Sequence, residues 1–161
     1  MSTSSFAIET PGRIARLGCT VEEITGLLAA ASPATVARRP APDAWSVTEI
    51  LCHLRDIEEA YGDRIRLILA NDEPALIQVD PERWVDDRQY RRHDAAAALA
   101  AFRARRHDTL GLLDRLDAAQ WERSGRHPSR GRLTIRKIVH SLAKHDSEHC
   151  EQIGRALAGQ A

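Results

Sequence analysis

Apolar positions along this chain recur at helical spacing and almost never alternate. Ile14, Leu17, Val21, Ile24 and Leu28 keep one face of a helix apolar. Thr10-Pro11 offers an N-cap followed by proline at the first helical position, so a first helix is expected to begin there, read as one helix with Gly18-Cys19-Thr20 as the point where it could be interrupted. Ser32 to Ala44, with Pro33, Pro40 and Pro42, reads as a loop holding at most one short turn. A second helix should start sharply at Trp45-Ser46-Val47-Thr48-Glu49, where Ser46 and Glu49 can form a capping box. Its seam is Ile50, Leu54, Ile57, Tyr61, Ile65 and Ile68. Asn71 to about Arg92 has Pro74, Pro81 and Trp84 but no long period. A connection of that length is either a lid or site wall, or a plain surface crossover.

A third helix is expected from about Asp94 to Leu116, with Ala95, Leu99, Phe102, Leu110 and Leu113 on one side. Asp117-Ala118-Ala119-Gln120 resembles a second capping box and opens one short turn before Trp121. Ser124 to Gly131 is turn-rich, and Thr134 can cap a last helix that runs to about Ala158. Four long amphipathic helices with no internal repeat bury their stripes most simply as a four-helix bundle. The fold class is therefore all-α, with a long crossover between helices 2 and 3.

Composition narrows the setting. The 161 residues suit one domain with one core. Lys plus Arg (23) balances Asp plus Glu (23), so no net field draws the chain to nucleic acid or anionic lipid. The first ten residues lack the basic start and apolar core of a signal peptide, and no apolar run approaches a membrane span. Cys19, Cys52 and Cys150 are odd in number and far apart, which argues against a disulfide framework. A cytoplasmic protein that binds neither membrane nor nucleic acid is expected.

The candidate chemistry lies near the C-terminus. At ~100° per residue, Ile138, Leu142, His145, His149, Ile153 and Ala156 fall within about 80° of one another. His145 and His149 thus sit one turn apart in the apolar stripe, where two imidazoles can converge on one ion. The alternative is a stacked or carboxylate-bonded pair of core histidines. Asp146 stands where a zinc protease carries its catalytic glutamate, so a protease is not inferred. His53 lies on the flank of the helix 2 stripe. If helices 2 and 4 are neighbours, three imidazoles meet, the histidine count of a catalytic zinc site with one open position. His140 faces about 180° away on the same wheel, His93 and His107 lie on or near the charged side of helix 3, and His127 sits in a loop. Cys52 and Cys150 adjoin proposed ligands but are rotated ~100° from them and read as packing residues. Arg106 interrupts the helix 3 stripe, so its guanidinium either snorkels past the rim or enters a polar cavity.

Trp45-Ser46-x-x-Glu49-x-x-x-His53-Leu54-x-Asp56 and His145-Asp146-x-x-His149-x-x-Gln152, with Gly125-x-His127-Pro128-x-x-Gly131-x-Leu133-Thr134 between them, resemble the DinB-like (DinB/YfiT) superfamily of proposed metalloenzymes. The resemblance spans roughly residues 40–158. It implies a four-helix bundle, often a homodimer, with a divalent ion held by His53, His145 and His149. The ion in such proteins is variously zinc, nickel, manganese or iron. Characterised relatives include hydrolases and enzymes that use a low-molecular-weight thiol.

The leading expectation is a metal-dependent enzyme acting on a small molecule by hydrolysis or thiol transfer. Arg106 would pair with an anionic group of substrate or thiol. Asp56, Asp146 and Glu148 are candidates to orient imidazole N–H groups, with surface salt bridging as the alternative. The competing expectation is a non-catalytic bundle that binds metal or ligand as a sensor or structural module. A role in DNA damage, suggested by the family name, is disfavoured by the charge balance and the lack of a basic aromatic face.

Overall fold

The computed structural model describes the backbone of residues 3–161 and the side chains of residues 10–161. Four long helices form the bundle: α1 (Thr3–Leu28), α3 (Val47–Ala70), α5 (Ala95–Leu113) and α7 (Ile135–Leu157). These are the four helices predicted from the stripes. Short helices fill the connections: α2 (Pro33–Ala37), α4 (Pro81–Asp87), a 3-10 turn (Tyr90–Arg92) and α6 (Ala118–Glu122).

Helix directions follow from side-chain pairings. Arg136 bonds Thr10 and Thr20 bonds Asp146, so α1 and α7 run the same way. Arg105 meets the carbonyl of Arg55 and Arg106 meets Glu58, so α3 and α5 are also parallel. Arg103 reaches Thr25 while Arg106 reaches Leu17, which sets α1 antiparallel to α5. The α3/α7 contact closes the ring of neighbours.

That arrangement explains the long connection. α3 has 24 residues and is about 36 Å long. The chain must travel back along that length before α5 can start beside the beginning of α3. The crossover packs on α3 as it returns, with Val85 and Tyr90 buried. Its start is tied to the segment before α7, where Leu76 N–H donates to Arg126 O (2.9 Å) and Arg126 N–H to Pro74 O (2.8 Å). This close approach requires glycine at 125, since a Cβ there would lie 2.7 Å from Leu76 Cδ2.

Three local expectations need correction. α1 does not begin at Thr10-Pro11: it starts at Thr3 and carries Pro11 inside the helix. Proline forfeits one i→i−4 bond, a cost that the helix bears here without a break. The stretch expected to be a turn-rich loop is a β-hairpin, β1 (Ser124–His127) paired antiparallel with β2 (Gly131–Thr134). Gly131, at φ 64°, supplies the left-handed residue that its turn needs. The crossover is also more regular than its sequence suggests, since α4 and the 3-10 turn lie within it. The caps read from sequence are present: reciprocal boxes at Ser46/Glu49 and Asp117/Gln120, and Thr134 capping α7. No helix among the described residues is long and apolar enough to cross a membrane.

Candidate metal centre

Helices α3 and α7 are neighbours, as the three-imidazole reading requires. His53 Nε2 lies 2.9 Å from His145 Nε2, and His149 Nε2 lies 3.0 Å from the same atom. Among the described residues, these three side chains form the group of histidine, cysteine or acidic donors close enough to share one ion. No thiol or carboxylate joins them in that group.

Local structure brings the rings together. The Ser46/Glu49 box starts α3 at a fixed point, and Arg39 holds the buried Glu49 carboxylate through a bidentate contact. Burial works against that charge, but Arg39 and Ser46 outweigh it and keep the carboxyl below its usual range. Trp45 is thereby set at the helix entrance, 5.0 Å from the His53 ring and stacked on His149 at 6.4 Å with 5° between planes. One turn beyond Glu49, His53 is 5 % exposed. His145 and His149 are half-buried.

The protonation chemistry suits a cation. Burial, reinforced by His149, pushes the His53 imidazole down to about 3. Burial together with His149, His53 and Arg106 pushes His145 to about 2. Burial also lowers His149, with Gln152 opposing. All three rings are therefore neutral at neutral pH and able to present lone pairs. His149 Nδ1 lies 2.7 Å from Gln152 Oε1. An amide oxygen only accepts, so Nδ1 carries the hydrogen and Nε2 the lone pair. Without a cation, His145 Nε2 has one hydrogen at most for two facing nitrogens, and lone pairs oppose one another. A cation between the three resolves that conflict, so the donor set fits the ion. The Nδ1 atoms of His53 and His145 are buried and find no hydrogen-bond partner among the described residues. Packing, not a carboxylate, orients those two rings.

The carboxylates expected to orient imidazoles do other work. Asp56 accepts from Arg55 (2.6 Å), Arg88 (2.6 Å) and Tyr90 (2.7 Å). Asp146 accepts from Thr20 (2.6 Å) and Arg106 (2.6 Å). Glu148 is 60 % exposed and pairs with Lys144. Gln152 takes the orienting role at His149, and its signal was its place three residues on along the same helix face.

Arg106 neither snorkels nor faces an open cavity. It is 2 % exposed and donates to Leu17 O, to both oxygens of Asp146 and to Glu58 Oε2. Its fork, expected to meet a substrate anion, is filled by two carboxylates. One guanidinium on α5 thus joins α1, α3 and α7. Cys52 and Cys150 are buried, and burial pushes both thiols up to about 11, consistent with packing residues. His127 is buried in the hairpin and stays outside the cluster. His93 and His107 are exposed.

Two clefts flank the bundle. One of about 390 Å³ lies between α3 and the crossover, walled by Leu67, Ile77, Val79 and Trp84. Another, of about 430 Å³, lies among Leu28, Val36, Ala95 and Leu99. Neither is lined by the three histidines. The crossover walls the first of these clefts, against α3.

Fold and site together define a class: a helical bundle whose core gathers three neutral imidazoles from two antiparallel helices. The DinB superfamily model matches residues 20–153, and the chain belongs to that family. It is 25% identical over 109 residues to a protein of Oceanobacillus iheyensis named "Putative metal-dependent hydrolase OB0782". That match covers 68% of this chain and 63% of the relative, so it spans somewhat less than two thirds of the relative's length. Among solved structures, YfiT from Bacillus subtilis, described as a probable metal-dependent hydrolase with an unusual four-helix bundle topology, superposes with a TM-score of 0.86. The superposition covers 100% of this chain and 91% of that one at 18% identity, and it establishes the shared fold.

Proposed function

We propose that this protein is a metal-dependent hydrolase of a small molecule, with His53, His145 and His149 as the ligands of one divalent ion. The observation that carries this reading is the convergence of three Nε2 atoms at 2.9 and 3.0 Å, with no fourth histidine, cysteine or carboxylate in the group among the described residues. Three protein ligands and an open position are the pattern of catalytic sites, whereas structural sites are closed by a fourth. That contrast favours an enzyme over a sensor or structural module. A bound ion would supply a nucleophile at neutral pH by lowering the pKa of a water, or of a thiol, held at the open position.

The chain's own residues provide the rest. Trp45 lies against the rings of His53 and His149 and gives the site an apolar wall. Gln152 fixes the His149 tautomer, and the depressed basicity of all three rings keeps them unprotonated. Imidazole suits zinc, nickel and iron, whereas manganese prefers oxygen ligands, so an all-histidine donor set favours the first three. The hydrolase description of the Oceanobacillus relative supports water over a thiol as the activated group.

The test begins with protein purified without chelator or nickel resin and analysed for bound metal. Cobalt(II)-loaded protein should then change its visible spectrum on adding azide, because an exchangeable position accepts the anion. A spectrum indifferent to azide and to added thiols would point to a closed, structural site.

A further inference from the structure

Four carboxylates are buried among the described residues: Glu49, Asp56, Glu58 and Asp146. Two have cations of their own, Arg39 for Glu49, and Arg55 with Arg88 for Asp56. Among the ion pairs of the described residues, Glu58 and Asp146 share Arg106 as their common cation. Thr20 adds a hydroxyl to Asp146 but no charge. The three side chains are 3, 0 and 0 % exposed for Arg106, Glu58 and Asp146, so water does little to screen them. Their formal sum is one negative charge in excess. Within the group Asp146 is the well-matched partner, accepting two bonds from Arg106. Glu58 accepts one bond through Oε2, and its Oε1 is buried with no partner.

An uncompensated buried charge is costly and calls for a counter-ion. The candidate centre is built on the same two helices, α3 and α7, that carry Glu58 and Asp146. Asp146 directly follows His145 in the chain. Glu58 lies five residues beyond His53, about 7.5 Å along the helix axis. Arg106 lowers the basicity of His145 as a cation would, so the two carboxylates together must outweigh it at the centre. The imidazoles are neutral, so a divalent ion held by them meets no opposing charge from its own ligands.

We propose that the Glu58–Arg106–Asp146 cluster is the built-in counter-charge of the metal centre, and that Glu58 supplies the excess negative charge that strengthens binding of a divalent cation. Glu58 acts through the field and does not touch the ion. This inference rests on the three-histidine reading above.

Glu58→Gln tests it with little structural change, because the amide oxygen can still accept the bond from Arg106. Glu59→Gln, with the neighbouring carboxylate 49 % exposed, removes the same formal charge in screened surroundings. Zinc affinity of chelator-stripped protein is measured by competition with a chromophoric chelator. The cobalt(II) spectrum reports ligand geometry, and the melting temperature of stripped protein reports the fold. Glu58→Gln should weaken zinc binding on the order of a hundredfold, the attraction between a divalent ion and one charge about 10 Å away at an effective dielectric of about 20. Its cobalt spectrum should match wild type, its stripped form should melt no lower, and Glu59→Gln should bind as wild type does. An unchanged zinc affinity in Glu58→Gln overturns the inference. So does a lost affinity accompanied by an altered cobalt spectrum or a lower melting temperature, which would make Glu58 a structural residue. If wild type itself binds no divalent metal, the three-histidine reading fails first and this inference with it.

Discussion

Gln152 Oε1 sits 2.7 Å from His149 Nδ1, behind the ring that offers its other nitrogen to His145. Replacing this acceptor should free the ring to turn and to exchange its tautomers. Gln152→Leu is expected to lower metal affinity by about tenfold to a hundredfold. Gln152→Glu, which keeps an acceptor at that position, should retain most of it. Competition titrations with zinc check both, and wild-type affinity in the leucine variant would assign the orienting role to the stacked Trp45.

Metal and stability should be coupled. If only the native state holds the ion, free metal at roughly 100 times its dissociation constant adds about 2.7 kcal/mol of stability. Adding zinc to stripped protein near neutral pH should therefore raise its melting temperature. His53→Ala, His145→Ala and His149→Ala should each abolish most of that rise, whereas His140→Ala should keep it. Identical melting of stripped and loaded wild type would remove the metal centre from consideration.

Acid should destabilise even the stripped protein. The native imidazoles of His53 and His145 are held at about 3 and about 2, against ~6.5 in an unfolded chain. Below ~6.5 the unfolded state binds more protons than the native state, so stability present at neutral pH is lost as pH falls. The loss approaches about 1.4 kcal/mol per pH unit for each such histidine. Urea midpoints should drop steadily from a pH of about 7 to about 5. Replacing both rings with glutamine should flatten the profile, and a wild-type midpoint constant over that range would show that the buried rings protonate freely.

Removing the shared cation should be more damaging than removing a ligand. Arg106→Leu leaves Glu58 and Asp146 buried without a positive partner, a loss of about 3–5 kcal/mol. Urea unfolding of stripped protein measures it. Arg106→Lys should recover only part of the loss, because an ammonium cannot span both carboxylates and the Leu17 carbonyl as the planar fork does. Near-wild-type stability in the leucine variant would contradict this picture of the bundle interior.

Periodicity made the four helices legible, and with them the inward position of His145 and His149. It also flagged Arg106 as out of place in an apolar stripe. It did not reveal what Arg106 meets, because Asp146 and Glu58 are 40 and 48 residues away in the chain. Asp146 was the hardest residue to read. It lies ~100° around α7 from His145, outside the apolar stripe. In a bundle, however, each helix has two neighbours, so α7 is covered by α1 as well as α3 and its buried arc is wider than its stripe. The hairpin escaped notice because Ser124–His127 and Gly131–Thr134 are four residues each, with too little alternation to stand out. α4 is only seven residues long, less than the two or three turns that make a helical period visible.

The guanidinium that touches Leu17, Glu58 and Asp146 from α5 also bears on how the molecule opens. Detaching α7, α3 or α5 alone would strand part of an ionic cluster in a dry interior, which makes partial openings through that layer unfavourable. Fraying can proceed from helix ends that lie beyond it, but the central turns of these helices have no inexpensive way to open singly. Their amide hydrogens should therefore exchange with solvent as one cooperative unit, at the free energy of global unfolding.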